Sequence, residues 1–203
     1  HPLQKQDAFV WRSESSGWGH LYLVDGRTSA RKAITSGEWV VRSVEHIDEE
    51  RGTIDFTANG REPGDPYHIH FYRVRMDGSN LTLLTPARGF HAAAWSPDRR
   101  FFVDTYSSMD KAPIHELRRG DGSLVTTLER ADVSGLAQQK IKPLTPFVAK
   151  GRDGKTDIWG AIAFPTDFDP TKKYPVIENI YAGPHDSHVP KTFYALTGMH
   201  RLA

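Results

Sequence analysis

The sequence predicts a mostly β chain: consecutive blades of a β-propeller, then a segment of different character after about residue 140. Three observations carry this reading. A strand, an Asp-Gly turn, a second strand and a Thr-containing strand recur in one order. Matching positions, Thr35 with Thr85 and Asp48 with Asp98, lie 50 residues apart, within the range of blade periods. The strands are short, β-branched or aromatic, and alternate in polarity, as half-buried sheet requires.

The elements follow in order. Phe9-Val10-Trp11-Arg12-Ser13 is strand-like and leads into a polar turn. His20-Leu21-Tyr22-Leu23-Val24 is a strand ending at Asp25-Gly26, followed by Ala33-Ile34-Thr35-Ser36-Gly37-Glu38-Trp39. The second pass is Thr53-Ile54-Asp55-Phe56-Thr57, then His70 to Met76 with Asp77-Gly78, then Leu83-Leu84-Thr85-Pro86 and Gly89-Phe90-His91. The third begins at Arg100 to Thr105 and continues through Ile114 to Arg118, Gly120-Asp121-Gly122 and Leu124 to Leu128. Asp-Gly pairs supply the positive φ of tight hairpins. Ala92-Ala93-Ala94-Trp95 offers small side chains for a crowded inner strand, and Ser96-Pro97-Asp98 turns the chain out of it. A β-sandwich could share the turn spacing but would not require this ordered recurrence.

A four-stranded blade cannot bury both faces alone, so it stacks on its neighbours. Two to three blades fit into residues 1–140, and closed propellers have four to eight. Further blades are therefore expected before His1. The chain begins with His rather than Met and has no signal-peptide pattern nearby, which fits either a trimmed start or, as expected here, a start inside a longer gene product.

Composition narrows the function. Of 203 residues, 38% are hydrophobic and 25% charged, which argues for a globular chain against disorder. A net charge of +1 gives no reason to expect nucleic acid or an anionic membrane as partner, and no apolar run reaches the length of a membrane span. The absence of cysteine removes disulfides, thiolate nucleophiles and cysteine metal sites without fixing the compartment.

From Glu129 to Pro146 the pattern lapses into polar residues and prolines, as a connection between domains would. A hairpin is expected next, from Phe147-Val148-Ala149-Lys150 and Asp157 to Pro165 around Gly151 to Lys155. An exposed loop from Asp167 to Pro175 precedes an apolar strand, Val176-Ile177-Glu178-Asn179-Ile180-Tyr181, that breaks at Ala182-Gly183-Pro184. Glu178 and Asn179 inside such a strand suggest buried hydrogen bonding.

Asp169-Pro170-Thr171-Lys172-Lys173-Tyr174-Pro175-Val176 with Ile180-Tyr181-Ala182-Gly183-Pro184 resembles the prolyl oligopeptidase family, closest to its dipeptidyl peptidase IV-like branch. Gly154 to Gly160, Phe102 to Ser108 and Thr35 to Val41 extend the likeness over nearly the whole chain. The resemblance implies the last propeller blades over residues 1–140 and the start of an α/β-hydrolase domain over 141–203. It also implies a serine-type exopeptidase that removes dipeptides from peptides with free N-termini, with no cofactor or metal. It favours a periplasmic or secreted setting and a homodimer, though no residue of the chain carries either.

Within that resemblance Tyr181 is the candidate catalytic residue. The tyrosine of this motif donates its hydroxyl to the oxyanion of the tetrahedral intermediate, a role suited to a phenol that stays a donor at neutral pH. Read without the motif, it is a core aromatic with a wet tip. The nucleophile is expected elsewhere: no serine here has glycine two before and two after it, and Ser79 and Ser123 sit in hairpin turns. The serine, aspartate and histidine should follow Ala203, and the acidic pair that holds the substrate ammonium should precede the chain. Glu49-Glu50 is read as an exposed turn rather than that pair. His68-x-His70 and His185-x-x-His188 have ligand-like spacing, but nothing completes a metal set. Two other readings stand beside the exopeptidase: a binding protein that has lost its triad, and an acylaminoacyl- or oligopeptidase of the same superfamily.

Overall fold

Alternate apolar positions such as Val10, Leu21, Ile54, Phe56, Tyr72 and Val74 can be buried only if one sheet stacks on the next. The computed structural model, which describes residues 1–179 and 188–193, arranges them in this way. Strands β1 (Ala8–Ser13), β2 (His20–Asp25) and β3 (Arg31–Ala33) form an antiparallel sheet in sequence order. Pro2 bridges Phe9 on the open side of β1. The second sheet is β4 (Val40–Asp48), β5 (Thr53–Asn59), β6 (His70–Arg75) and β7 (Thr82–Leu83). The third is β8 (Phe90–Trp95), β9 (Phe101–Ser108), β10 (Lys111–Arg119) and β11 (Leu124–Arg130). Both four-stranded sheets are antiparallel meanders, the shape of propeller blades. A one-turn helix, α1 (Ser134–Gln138), lies in the polar connection, and β12 (Thr145–Lys150) pairs with β13 (Asp157–Ile162) as a separate hairpin. Pro146 is tolerated in β12 because that two-stranded sheet leaves an open edge.

The core lies between sheets. Val10, Leu21, Ile34, Trp39, Val41, Ile54, Phe56, Tyr72 and Val74 form one buried cluster across the first two, and Trp39 stacks on Phe56 and Tyr72 at 6.2 and 6.3 Å. Phe71, Leu84 and Phe102 continue it between the second and third.

The repeat in sequence is a repeat of hydrogen bonds. Thr35 and Thr85 follow the short outer strands and are buried. Each hydroxyl takes the place of a ladder carbonyl, accepting the Leu21 N–H at 3.0 Å and the Phe71 N–H at 2.9 Å. Trp39 and His91 take equivalent places, their rings 4.8 Å from His20 and His70. The Asp-Gly turns have a second use. Gly78 and Gly122, both at φ +90°, bring the turn of one blade onto the backbone of the blade before it, Gly78 against Ile34 and Gly122 against Leu84. A Cβ at residue 122 would stand 2.8 Å from the Leu84 Cα. The first turn departs from the expected pattern: Gly26 is not at positive φ, and Ser29 carries it instead at 58°.

The apolar strand expected from residue 176 is not formed over residues 176–179. Val176 and Ile177 are 86% and 83% exposed, and Glu178 and Asn179 are exposed rather than buried polar groups. A strand needs a ladder partner and a face to cover it, and no strand of the described residues pairs with this stretch. The preceding loop is held by Phe164, Phe168 and Tyr174, whose rings contact in sequence, and by Tyr174 Oη accepting the Asp169 N–H at 2.9 Å.

Candidate functional site

Tyr181 lies outside the described residues, as does His185. The described stretch that follows the motif, residues 188–193, contacts one end of the second and third blades. That junction is the candidate site.

It is built from the loop after β5. Asn59 donates from Nδ2 to the Pro66 carbonyl at 2.7 Å, folding the loop back on itself. Asp65 then forms an Asx turn, with Oδ1 accepting the Tyr67 N–H at 2.9 Å and the backbone carbonyl accepting the His68 N–H at 3.1 Å. The other carboxylate oxygen faces Lys191, with Nζ 2.8 Å from Oδ2 and both side chains over nine-tenths buried. The Lys191 ammonium also sits 4.7 Å from the Tyr67 ring centroid. Two residues on, the Phe193 N–H donates to Ser107 Oγ at 3.0 Å, at the end of β9. Ser108 Oγ donates to Asp110, which also takes Arg88. Ser107 Oγ thus serves as an acceptor for the backbone, and Ser108 Oγ as a donor to a carboxylate that is ion-paired with Arg88.

His68 is buried beside this pair. Burial, reinforced by His70 and by the positive charges of Lys191 and Arg88, pushes its pKa down from 6.5 to about 4, while Asp65 pulls the other way. His70 is lowered in the same direction, again mainly by burial. The unfolded chain takes a proton on the His68 ring below about pH 6.5, the folded chain only below about 4. Stability should therefore be lost as pH falls through that window. In His68→Gln the urea midpoint should fall less steeply between pH 7 and 4 than in the unmodified protein. Parallel midpoint curves would refute the assignment.

Behind the junction runs a buried polar chain. His70 donates from Nδ1 to the Thr85 carbonyl at 2.7 Å. His91 Nε2 faces the Ala87 carbonyl at 2.7 Å and so carries a proton, while Nδ1 faces Asp104 Oδ1 at 2.8 Å. Arg118 brings Nε to 3.3 Å from Asp104 Oδ2, donates from Nη2 to Glu116 at 2.6 Å and from Nη1 to the Gly122 carbonyl at 2.8 Å. Tyr106 donates to the other oxygen of Glu116 at 3.1 Å. A second network links blades: Asp55, 2% exposed, takes Arg73 through two hydrogen bonds at 2.6 and 2.9 Å and Arg99 at 2.9 Å.

Glu49 and Glu50 sit where an exposed turn was expected. Glu49 accepts the Gln4 and Lys5 N–H groups at 2.7 and 2.8 Å, and Glu50 pairs with the Lys5 ammonium, so the two carboxylates fasten the first residues to β4. His68 and His70 straddle the start of β6 as expected, and His188 is exposed. Among the described residues no group of three or more His, Asp or Glu could hold a metal ion, and no helix is long and apolar enough to cross a membrane. Sequence reasoning missed Asp65, Lys191, Asp104 and Arg118. One signal was present: Glu116 and Arg118 lie two apart in β10, on one face, with Asp104 directly opposite Glu116 in β9.

A family model described as the dipeptidyl peptidase IV (DPP IV) N-terminal region matches residues 1–113. The probable dipeptidyl-aminopeptidase B of Emericella nidulans is 32% identical over 195 residues, covering 92% of this chain and 21% of that protein. Dipeptidyl peptidase 4 of Arthroderma otae is 28% identical over 200 residues, covering 94% and 25%. In three dimensions the chain superposes on the crystal structure of Porphyromonas gingivalis dipeptidyl peptidase 4 with a TM-score of 0.78 at 26% identity, over 99% of this chain and 28% of that one. The chain spans about a quarter of the length of these relatives.

Proposed function

This chain belongs to the dipeptidyl peptidase IV N-terminal-region family, and from that premise we propose that it is part of a serine-type exopeptidase that releases dipeptides from peptides with free N-termini. In this reading residues 1–140 belong to the propeller and residues 141–203 begin the α/β-hydrolase catalytic domain. The observation that carries it is the breadth of the likeness: the superposition on Porphyromonas gingivalis dipeptidyl peptidase 4 covers 99% of this chain, well past the residues 1–113 that match the family model.

The chemistry is acyl transfer. A serine supplied from outside these residues attacks the carbonyl carbon of the second residue, its proton passing to a histidine. The carbonyl oxygen becomes an oxyanion, which the Tyr181 hydroxyl stabilises by donating a hydrogen bond that is stronger to the oxyanion than to the ground-state carbonyl. Collapse breaks the C–N bond, the histidine returns the proton to the leaving amine, and water then releases the dipeptide from the serine ester. No cofactor takes part. The same reading includes a homodimer, which sedimentation of the whole enzyme would check.

Turnover of Ala-Pro and Gly-Pro chromogenic substrates by the whole enzyme tests the proposal. Cleavage of the free amines and loss of cleavage on N-acetylation are expected. Preference for the acetylated form would point to an acylaminoacyl-peptidase, and no turnover or fluorophosphonate labelling would point to a binding protein; either result overturns the reading.

A further inference from the structure

Residues 188–193 are fastened to the propeller at two points. Lys191 Nζ lies 2.8 Å from Asp65 Oδ2 on the loop after β5, with both side chains over nine-tenths buried. The Tyr67 ring centroid, 4.7 Å from the same ammonium, gives it a second favourable surface. Two residues on, the Phe193 N–H donates to Ser107 Oγ at 3.0 Å, at the end of β9. Two blades thus hold one short stretch of chain.

His68 belongs to the turn that carries the carboxylate. Its N–H donates to the Asp65 carbonyl at 3.1 Å, and the residue is buried. The charged groups that face its ring are Asp65, Lys191 and Arg88, with His70 as the neighbouring titratable group. Arg88 is held by Asp110, and His70 by its bond to the Thr85 carbonyl. Of these four, Lys191 alone is supplied by the 188–193 segment. A proton on His68 would leave two cations, His68 and Lys191, to share one buried carboxylate, because Asp110 is taken by Arg88. A charge without its own partner is costly out of water. Lifting residues 188–193 relieves that cost, since water then reaches both cations.

We propose that residues 188–193 are a proton-released strap: Asp65 and Lys191 close it on the propeller, and protonation of His68 opens it. With the strap closed, burial holds the His68 pKa at about 4; with the strap lifted, the ring returns to its ordinary 6.5. The open state therefore binds the proton more tightly. Closure is fully favoured above about pH 6.5 and is lost as pH falls toward about 4. That gap allows about a 300-fold change in the opening equilibrium, about tenfold per pH unit.

Hydrogen exchange of the whole protein tests the strap. The Phe193 amide is the probe, because its N–H is one of the two fastenings. After correction for the intrinsic rate, opening at Phe193 should rise about tenfold per pH unit between about pH 6 and 5, while the Phe56 amide in the buried centre of β5 keeps its protection. His68→Gln keeps a polar side chain and His68→Phe keeps the ring volume. Each should flatten the slope at Phe193 to less than about twofold per pH unit. Lys191→Met should raise opening at Phe193 at least about tenfold already at pH 7, because Asp65 is left without its cation. A slope that persists in both His68 variants would place the proton on Asp65 and overturn the strap. Protection at Phe193 that does not change with pH in the unmodified protein would overturn it too. So would a parallel loss at Phe56, which would mean that the whole propeller unfolds.

Discussion

Tyr181→Phe should lower kcat of the whole enzyme by roughly 10²–10³-fold, the usual effect of removing one oxyanion donor. KM for an Ala-Pro or Gly-Pro chromogenic substrate should stay within about threefold, because in the proposed role the hydroxyl acts on charge that appears only in the transition state. Phenylalanine keeps the ring and its packing and deletes only the donor, so a loss of rate cannot be assigned to a lost core aromatic. An equal rise in KM with kcat unchanged would mean that the hydroxyl binds ground state and transition state alike. Unchanged kinetics would remove Tyr181 from the mechanism and return it to a packing role.

Arg118→Met carries the largest stability effect expected here, a loss of about 3–5 kcal/mol on the propeller's unfolding transition. The arginine side chain is 7% exposed and stands between two buried carboxylates, Asp104 at 0% and Glu116 at 7%. Its removal leaves Asp104 with His91 and Glu116 with Tyr106, two negative charges out of water without their cation. Burial, and then the Glu116 charge, already push the Tyr106 phenol up, so that hydroxyl remains a donor and cannot take the cation's place. The substitution also frees the Gly122 carbonyl in the turn that packs on Leu84, so blade and blade contact weaken together. Replacing Arg118, Glu116 and Asp104 together with apolar residues of similar volume should recover most of the loss, since no charge is then stranded. Urea unfolding of the variants measures both. A loss under about 1 kcal/mol for Arg118→Met would show that water reaches the site and solvates the acids.

Much of the fold was legible because its signals are local. Thr35 and Thr85 stand 50 apart since each ends the same hydrogen-bond ladder in successive blades. The hairpin β12–β13 was readable from its turn and its two apolar runs. The strand from Val176 was misread for a physical reason: an apolar run has strand propensity, but a strand is completed by its neighbour, and the described residues provide none. The candidate site was the least legible. Charged residues in a β sequence normally face solvent, and alternation alone could not distinguish Asp104, Glu116 and Arg118 from a solvated face.

By itself the sequence determined the blade repeat, the turn positions, the change of character near residue 140 and the motif around Tyr181. These depend on backbone preference and polarity over a few residues, which local chemistry sets. Only the tertiary structure decided which charges are buried together and where the chain after the motif is pinned. Lys191 and Asp65 are 126 residues apart in sequence. Nothing in either neighbourhood specifies the other, and their pairing arises only when stacked blades exclude the water that would otherwise solvate both charges.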